Sequence, residues 1–175
     1  MNESVTRRNT GQLTKSRIMQ NNTNTHNITI RKAILKDSEF IAQSNIAMAS
    51  ETENTILDPD TVLNGVSNLI NQPQYGFYMV AESGDQAIAC LLITFEWSDW
   101  RNGLLWWIQS VYVLPEWRRL GVYKKMYSTL QSMSQNDPGV AGLRLYVHTH
   151  NDRAITTYQS LGMSKTPYLL YEWIP

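Results

Sequence analysis

Three features that many proteins rely on are scarce in this sequence: cysteine, an excess of charge and long apolar runs. The 175 residues contain one cysteine, Cys90, which excludes an internal disulfide, and its apolar surroundings indicate a small core side chain. Basic and acidic residues number 15 each, so no net charge attracts nucleic acid or an acidic membrane. No stretch is apolar enough to cross a bilayer, and the N-terminus lacks the apolar segment of a secretory signal. We therefore expect a cytoplasmic protein with neither nucleic acid nor membrane as partner.

The length of the chain suits one domain with a single core. Residues 1–27 are polar, rich in asparagine and threonine, and without periodicity, which predicts a flexible leader. From Ile28 onward, alternating and helical patterns follow one another. We expect the folded domain to cover residues 28–175.

Local signals place the elements of this domain. "ITIRKAI" alternates like a strand, and Asp37 then occupies the position of a helix N-cap. Asp58 followed by Pro59 begins a second helix with an apolar stripe. Turns at Gly84-Asp85 and Asn102-Gly103 connect three strands.

The rest of the chain continues the alternation of helix and strand. A helix ends before "NDPG", "LRLYVHT" predicts a strand, a short helix ends with Gly162 as its C-cap, and "YLLYEWI" predicts a last strand. The order β-α-α-β-β-β-α-β-α-β predicts a single-domain α/β fold with a mixed sheet.

The stretch "VYVLPEWRRLGVYKKMY", residues 111–127, joins a strand to a helix. Arg118, Arg119 and Gly121 stand at the junction, where free backbone amides and the positive end of the helix dipole favour an anion such as a phosphate. A helix start with solvated arginines has the same composition, so this stretch alone decides little. It matches neither a P-loop nor a G-x-G-x-x-G turn.

Two motifs together resemble the signatures of the GNAT superfamily of N-acetyltransferases. Arg118-x-x-Gly121-x-Tyr123 is similar to the Gln/Arg-x-x-Gly-x-Gly/Ala pyrophosphate loop of that family, with tyrosine where a small residue is usual. "NDRAITTYQSLGM", residues 151–163, resembles its second signature, with methionine in place of phenylalanine at the end. The resemblance covers residues 28–175. It implies a mostly antiparallel sheet flanked by helices, with a splayed pair of parallel strands at the cofactor site.

The resemblance also implies acyl transfer, most often of acetyl, from acetyl-CoA to a primary amine of a small molecule or protein, without a metal. Strand backbone would pair with the pantetheine arm, loop amides would bind the pyrophosphate, and an amide near the strand would polarise the thioester carbonyl. Asn151 would contact the pantetheine or hold the splayed strands. The implied cofactor-binding residues are Val111, Tyr112, Val113, Arg118, Arg119, Leu120, Gly121, Val122, Tyr123 and Asn151.

Tyr158 stands where the family often has the general acid that protonates the departing thiolate. No base stands at the family's usual position, where "LLWWIQSVYV" has Trp107 and Gln109, which we expect at the acceptor site. Glu96 is a candidate base. Glu51 and Glu53 follow the first helix, where the family has one wall of the acceptor site, and they fit substrate binding or solvated loop acids equally well.

The segment "EWSDWRNGLLWW" concentrates tryptophans beside Glu96 and Asp99. Such a segment suits core or interface packing, and it would also suit a cationic amine through cation–π and ion-pair contacts. His148 and His150 share a strand face about 7 Å apart, but no third ligand is recognisable, so we interpret them as strand-end residues rather than a metal site.

Two other functions remain open beside N-acyl transfer. A non-catalytic acyl-CoA-binding module would explain the missing base and Tyr123, although the presence of Asn151 and Tyr158 speaks against it. A protein-interaction module would use the tryptophan-rich hairpin, with a second copy of the chain as the expected partner. Turnover of acetyl-CoA separates catalysis from binding alone.

Overall fold

The computed structural model describes residues 27–174, and apart from Asn27 the predicted leader lies outside this range. One-turn 3-10 helices lie at Leu35–Asp37 and Pro115–Trp117. The strands and α-helices, in chain order, are β1 (Ile28–Lys32), α1 (Ser38–Glu53), α2 (Pro59–Asn71), β2 (Gly76–Ser83), β3 (Gln86–Ser98), β4 (Gly103–Val113), α3 (Val122–Gln135), β5 (Val140–Arg144) and α4 (Asp152–Ser160).

The described chain divides into two compact units between Arg144 and Leu145, and each is described by itself. The first unit holds the five strands and helices α1 to α3. The second unit holds α4 and the segment that follows it, in which residues 164–174 form no strand.

The five strands lie side by side in chain order, β1-β2-β3-β4-β5. Neighbours pair antiparallel, except that β4 and β5 run parallel, from Leu104 opposite Val140 to Trp107 opposite Arg144. This confirms the predicted mixed, mostly antiparallel sheet with one parallel pair. The parallel pairing stops at Trp107, whereas β4 runs on to Val113.

The sheet buries apolar side chains on both faces. Under α1 and α2, a core cluster includes Ile41, Val66, Tyr78 and Cys90. Burial raises the pKa of the Cys90 thiol to about 12, so this side chain is a neutral core group, as its sequence context indicated. On the other face, the ring of Phe77 packs against the rings of Phe95 and Trp106. The helix that covers that face is α3, which buries Met126 and Leu130 completely.

One of the two predicted N-caps behaves as expected. The Asp58 carboxylate accepts a hydrogen bond from the Thr61 amide at 2.8 Å, and Pro59 takes the first helical position. Asp37 stands at the N-cap position of α1, but its side chain makes no cap hydrogen bond. It accepts instead from the Ile34 amide at 2.8 Å and from both terminal nitrogens of Arg31. Ion pairing with a neighbouring strand therefore replaces capping at this helix.

The predicted turns are present, with positive φ at Gly84 (60°) and Asn102 (48°). The fifth strand is displaced: β5 covers Val140–Arg144 rather than the predicted residues 143–149, and its pairing with β4 begins at Val140 opposite Leu104. The predicted last strand, residues 168–174, is wrong. Residues 145–174 contain no strand, so the segment has no partner within its own unit, and an unpaired strand is not stable in water.

None of the helices among residues 27–174 combines the length and apolar character that a membrane crossing requires.

Candidate active site

The junction between β4 and α3 has an unusual backbone. Arg118 is extended, Arg119 has φ 66° and Gly121 has φ 78°, both in the left-handed region. Left-handed residues within a turn can direct successive backbone N–H groups toward one concavity, which is a common anion site. The first turn of α3 receives no side-chain cap, and its first backbone bond runs from the Lys125 amide to the Gly121 carbonyl. The amides before Lys125 are therefore those that a helix leaves for an external acceptor.

Gly121 serves the backbone conformation rather than close packing. A Cβ atom added there would meet no heavy atom within 4 Å, so space does not require glycine. The positive φ does, because other L-residues pay about 1–2 kcal/mol in this region. A side chain at residue 121 would project into the open space beside the uncapped amides.

Arg118 is held by three groups of the same unit. Its Nη2 lies 2.8 Å from Glu51 Oε2, its Nε donates to the Val113 carbonyl at 2.8 Å, and its guanidinium lies 5.2 Å from the Tyr112 ring centre. The Tyr112 hydroxyl also donates to Glu51, at 2.9 Å. The structure thus joins three predicted cofactor residues to Glu51, which was predicted on the acceptor side.

This network lowers the pKa of the Glu51 carboxyl, through the hydrogen bond from Arg118 and then that from Tyr112. The carboxylate stays ionised and directed at the loop, which makes it a poor proton acceptor. A role for Glu51 in binding the substrate stays a prediction. Glu53, at the end of α1, has an exposed side chain, and its role also stays a prediction.

Strand β4 carries a β-bulge between the part that pairs with β5, which ends at Trp107, and the strand's own end at Val113. The register passes from Leu92 opposite Gln109 to Cys90 opposite Tyr112, so Ser110 and Val111 together oppose one residue of β3. Ser110 has φ 47°, which marks the distorted position. Since the pairing with β5 has ended at Trp107, the outer backbone edge of residues 108–113 faces no strand among residues 27–144.

Polar side chains gather on the α1/α2 side of the sheet, beyond the apolar cluster. The Trp107 indole N–H donates to Glu96 Oε2, and the Gln109 amide donates to Thr94 Oγ1, both diagonally across β3 and β4. Arg144 Nη1 lies 3.0 and 3.2 Å from the two Glu96 oxygens, and the guanidinium is 5.9 Å from the Trp107 ring centre. We call Glu96, Trp107 and Arg144 the Glu96 cluster.

The Glu96 cluster brings together two predicted site residues and one that the sequence did not reveal. Glu96 and Trp107 were candidates for base and acceptor wall. Arg144 was not, because it stands alone between leucines in a strand pattern. An arginine between two leucines in a strand pattern was the signal that could have identified it, since its long side chain can extend over the sheet face toward a polar group on another strand.

In the second unit, Asn151 caps α4: its Oδ1 accepts from the Ala154 amide at 3.1 Å. The capping bond explains why an asparagine suits this motif position. A contact between Asn151 and pantetheine stays a prediction. Burial raises the pKa of Tyr158, so its phenol is protonated at neutral pH, as a proton donor requires. Gly162, with φ 88°, ends the helix as predicted. His148 and His150 have ring centres 5.5 Å apart.

Among residues 27–174, no group of three or more histidine, cysteine or carboxylate side chains could hold a metal ion. The predicted tryptophan-rich hairpin has two surface residues, Trp97 and Trp100, with 60% and 86% of their area exposed. Its role as an interface with a second copy stays a prediction.

Comparison with known proteins identifies the family. The family model described as "Acetyltransferase (GNAT) family" matches residues 40–163. The chain belongs to the GNAT family of acetyltransferases. No curated protein matches this sequence.

Solved structures agree with this assignment. A possible acetyltransferase from Clostridium difficile 630 has 40% identity and a TM-score of 0.80, with 85% of this chain and 97% of that chain covered. The aminoglycoside N-acetyltransferase AAC(6')-Iy, in complex with CoA, has 16% identity and a TM-score of 0.67, covering 84% and 94%. An aminoglycoside acetyltransferase from an uncultured soil metagenomic sample, in complex with sisomicin, has 18% identity and a TM-score of 0.66, covering 85% and 95%. The last two likenesses show the GNAT fold.

Proposed function

We propose that this GNAT protein is an N-acetyltransferase that transfers acetyl from acetyl-CoA to a primary amine of a small molecule or protein. The observation that carries the proposal is the uncapped, left-handed junction at Arg119–Gly121 before α3. The CoA complex of the structural neighbour supports acetyl-CoA as the donor.

The junction fits a pyrophosphate. Amides from Arg119 to Tyr123 are the donors, and the exposed Arg119 side chain adds positive charge. Tyr123, larger than the residue usual at its position, packs its ring 6.3 Å from that of Tyr127 along α3. Its bulk is thus directed along the helix, which leaves the backbone open to approach.

The pantetheine arm would pair with the outer edge of β4 at Val111 and Val113, beyond the bulge. At Val113 this pairing competes with Arg118, whose Nε already donates to the carbonyl. Within residues 27–174, no side chain donates to the Val111 carbonyl. A backbone amide of this stretch would polarise the thioester carbonyl.

The chemistry follows from these roles. An acceptor ammonium gives one proton to a base, for which Glu96 is the candidate, and the neutral nitrogen attacks the thioester carbon. A C–N bond forms, the C–S bond breaks, and the Tyr158 hydroxyl protonates the departing thiolate. The phenolate regains a proton from the newly bonded nitrogen, which carries one proton more than the neutral amide after the thiolate has left. The net products are the acetylated amine, CoA with a free thiol, and one released proton.

One observation favours a second candidate, a non-catalytic acyl-CoA-binding module. Both candidate carboxylates are engaged by arginines, Glu51 by Arg118 and Glu96 by Arg144. Under this alternative acetyl-CoA binds without turnover. Release of free CoA thiol in the presence of a set of primary amines would decide for catalysis.

The first test is calorimetric titration of acetyl-CoA into wild-type protein, Gly121→Glu and Gly84→Glu. Both glycines have positive φ and open space where a Cβ would stand, so the two changes strain the backbone alike. Only Gly121→Glu places a negative side chain beside the uncapped amides. We expect binding to be lost in Gly121→Glu and kept in Gly84→Glu. No binding by the wild type, or equal losses in both variants, would refute the proposed site.

A further inference from the structure

The Arg144 side chain reaches across an entire strand. β5 borders β4 and β4 borders β3, so a contact from Arg144 to Glu96 spans two strand spacings, roughly 10 Å. The guanidinium passes over the Trp107 ring on the way. The side chain therefore lies flat on the sheet face with one side toward solvent.

Stability does not explain this arrangement. The side chains of Arg144 and Glu96 keep 31% and 41% of their areas exposed. An ion pair this exposed contributes little to folding, about 0–1 kcal/mol, and it immobilises a long side chain. The pair also lies beyond the apolar cluster under α1 and α2, and packing there does not require a charge.

The Glu96 cluster offers complementary groups to a particular kind of molecule. One anion and one cation stand about one hydrogen bond apart beside an indole face. A molecule with its own ammonium and carboxylate could replace this pair by two matched ones, ammonium to Glu96 and carboxylate to Arg144. The planar guanidinium suits a carboxylate, because it can donate two parallel hydrogen bonds.

We propose that Arg144 is a specificity-determining residue that selects acceptor amines carrying a carboxylate, of the amino-acid type. Glu96 holds the reacting ammonium, and Trp107 lines the space between. This inference rests on the proposed N-acetyltransferase function and names its acceptor class. Amines without a carboxylate leave Arg144 bound to Glu96, so they compete with an internal ion pair for the same carboxylate.

The experiment compares matched amines as acceptors at saturating acetyl-CoA: glycine with glycinamide, β-alanine with ethylamine, and lysine with cadaverine. In the wild type we expect kcat/KM to favour the carboxylate-bearing member by about tenfold or more, the effect of one charge-assisted contact. Arg144→Met should abolish that preference by raising KM with little change in kcat. Arg144→Lys should retain part of it.

Two further variants separate the roles. Glu96→Gln keeps an acceptor for Arg144 and Trp107 but removes the negative charge, so it should slow both members of each pair alike. Arg101→Met removes another exposed arginine, in the β3–β4 turn, and should change neither rate nor preference. Binding of the same amines to the CoA-loaded protein, followed by ligand-observed NMR, gives a readout that does not depend on turnover.

Equal use of both members of each pair overturns the inference, and so does a preference that survives Arg144→Met. Absence of binding by every carboxylate-bearing amine overturns it too. A failure of the underlying enzyme proposal appears differently, as absence of acetyl-CoA binding or of CoA release with any amine.

Discussion

Two arginine clusters on the same sheet show how burial changes what an ion pair contributes to folding. At β1, Arg31 meets Asp37 through two nitrogens, at 2.7 and 2.9 Å, and also contacts Glu82. At β5, Arg144 meets Glu96 through one nitrogen. The Asp37 side chain is only 6% exposed, whereas that of Glu96 is 41% exposed. The first cluster joins β1, β2 and the turn before α1, and the second joins strands that the ladder already connects.

The two clusters have different functions because their carboxylates differ in burial. A buried carboxylate needs its partner, because an uncompensated charge away from water is costly. An exposed carboxylate can exchange its partner for water or for a ligand at little cost. The Arg31 cluster is therefore structural, while the Glu96 cluster is available for binding.

The largest expected effect is on the Arg31 cluster. Arg31→Met leaves Asp37 buried without its main partner, and we expect the free energy of unfolding to fall by about 2–3 kcal/mol. Chemical denaturation of the variant and the wild type measures this. Acetyl-CoA binding, measured on the fraction that remains folded, should be unchanged, and a loss of less than about 0.5 kcal/mol would contradict the assignment.

Acid should weaken the same cluster. Burial alone would raise the pKa of Asp37, but the hydrogen bonds from Arg31 and the Ile34 amide outweigh it, and the pKa is lowered. The hydrogen bond from Arg31 also lowers the pKa of Glu82. A lowered folded-state pKa stabilises the fold above the ordinary carboxyl range, and this contribution disappears as pH falls through the folded-state pKa.

We therefore expect Tm to decrease as the pH drops below about 4, and to decrease less steeply in Arg31→Met. Thermal unfolding between neutral pH and pH about 3 provides the measurement. Parallel curves for the two proteins would show that the Arg31 cluster does not cause the acid sensitivity.

A third arginine, Arg118, forms an ion pair that is as exposed as the one in the Glu96 cluster, but it stands at the proposed cofactor loop. The Arg118 and Glu51 side chains are 36% and 42% exposed, so their pairing should contribute less than about 1 kcal/mol to folding. Because Arg118 belongs to the proposed pyrophosphate loop, we expect Arg118→Met to weaken acetyl-CoA binding about tenfold. Calorimetric titration of acetyl-CoA into Arg118→Met and Arg31→Met compares the two affinities. Equal affinities in both variants would remove Arg118 from the cofactor site.

The smallest expected effect is the stability change in the Glu96 cluster. Arg144→Met should change the free energy of unfolding by less than about 0.5 kcal/mol, since the pair is exposed. Denaturant titration of Arg144→Met and Arg31→Met measures the two changes in the free energy of unfolding under the same conditions. A loss comparable to that of Arg31→Met would show that Arg144 is a structural residue and not a determinant of acceptor selection.

Parts of the fold with strong local signals were predictable. Asp58 and Pro59 carry their own helix start, and Gly84 and Asn102 supply the backbone angles of their turns. Gly121 and Gly162 likewise mark positive-φ positions that the two motifs require. These signals act within a few residues, and at these positions no distant partner competes for the groups that carry them.

Other parts were not predictable from the same reasoning. Asp37 has the sequence context of a cap, yet Arg31 on β1 claims its carboxylate. The segment 168–174 alternates like a strand, but strands form only with partners, and its unit offers none. Arg144 gave no motif signal, because its role depends on a side chain two strands away.

The sequence by itself determined the family, the order of most elements and the two glycine-dependent junctions, because short-range backbone chemistry and motif spacing specify them. Only the tertiary structure decided which carboxylate meets which arginine. Glu51 pairs with Arg118 across 67 positions, and Glu96 with Arg144 across 48. Sheet register brings Glu96 and Arg144 together, and the packing of α1 on β3 and β4 brings Glu51 to the loop. Both depend on how the whole core packs rather than on neighbouring residues.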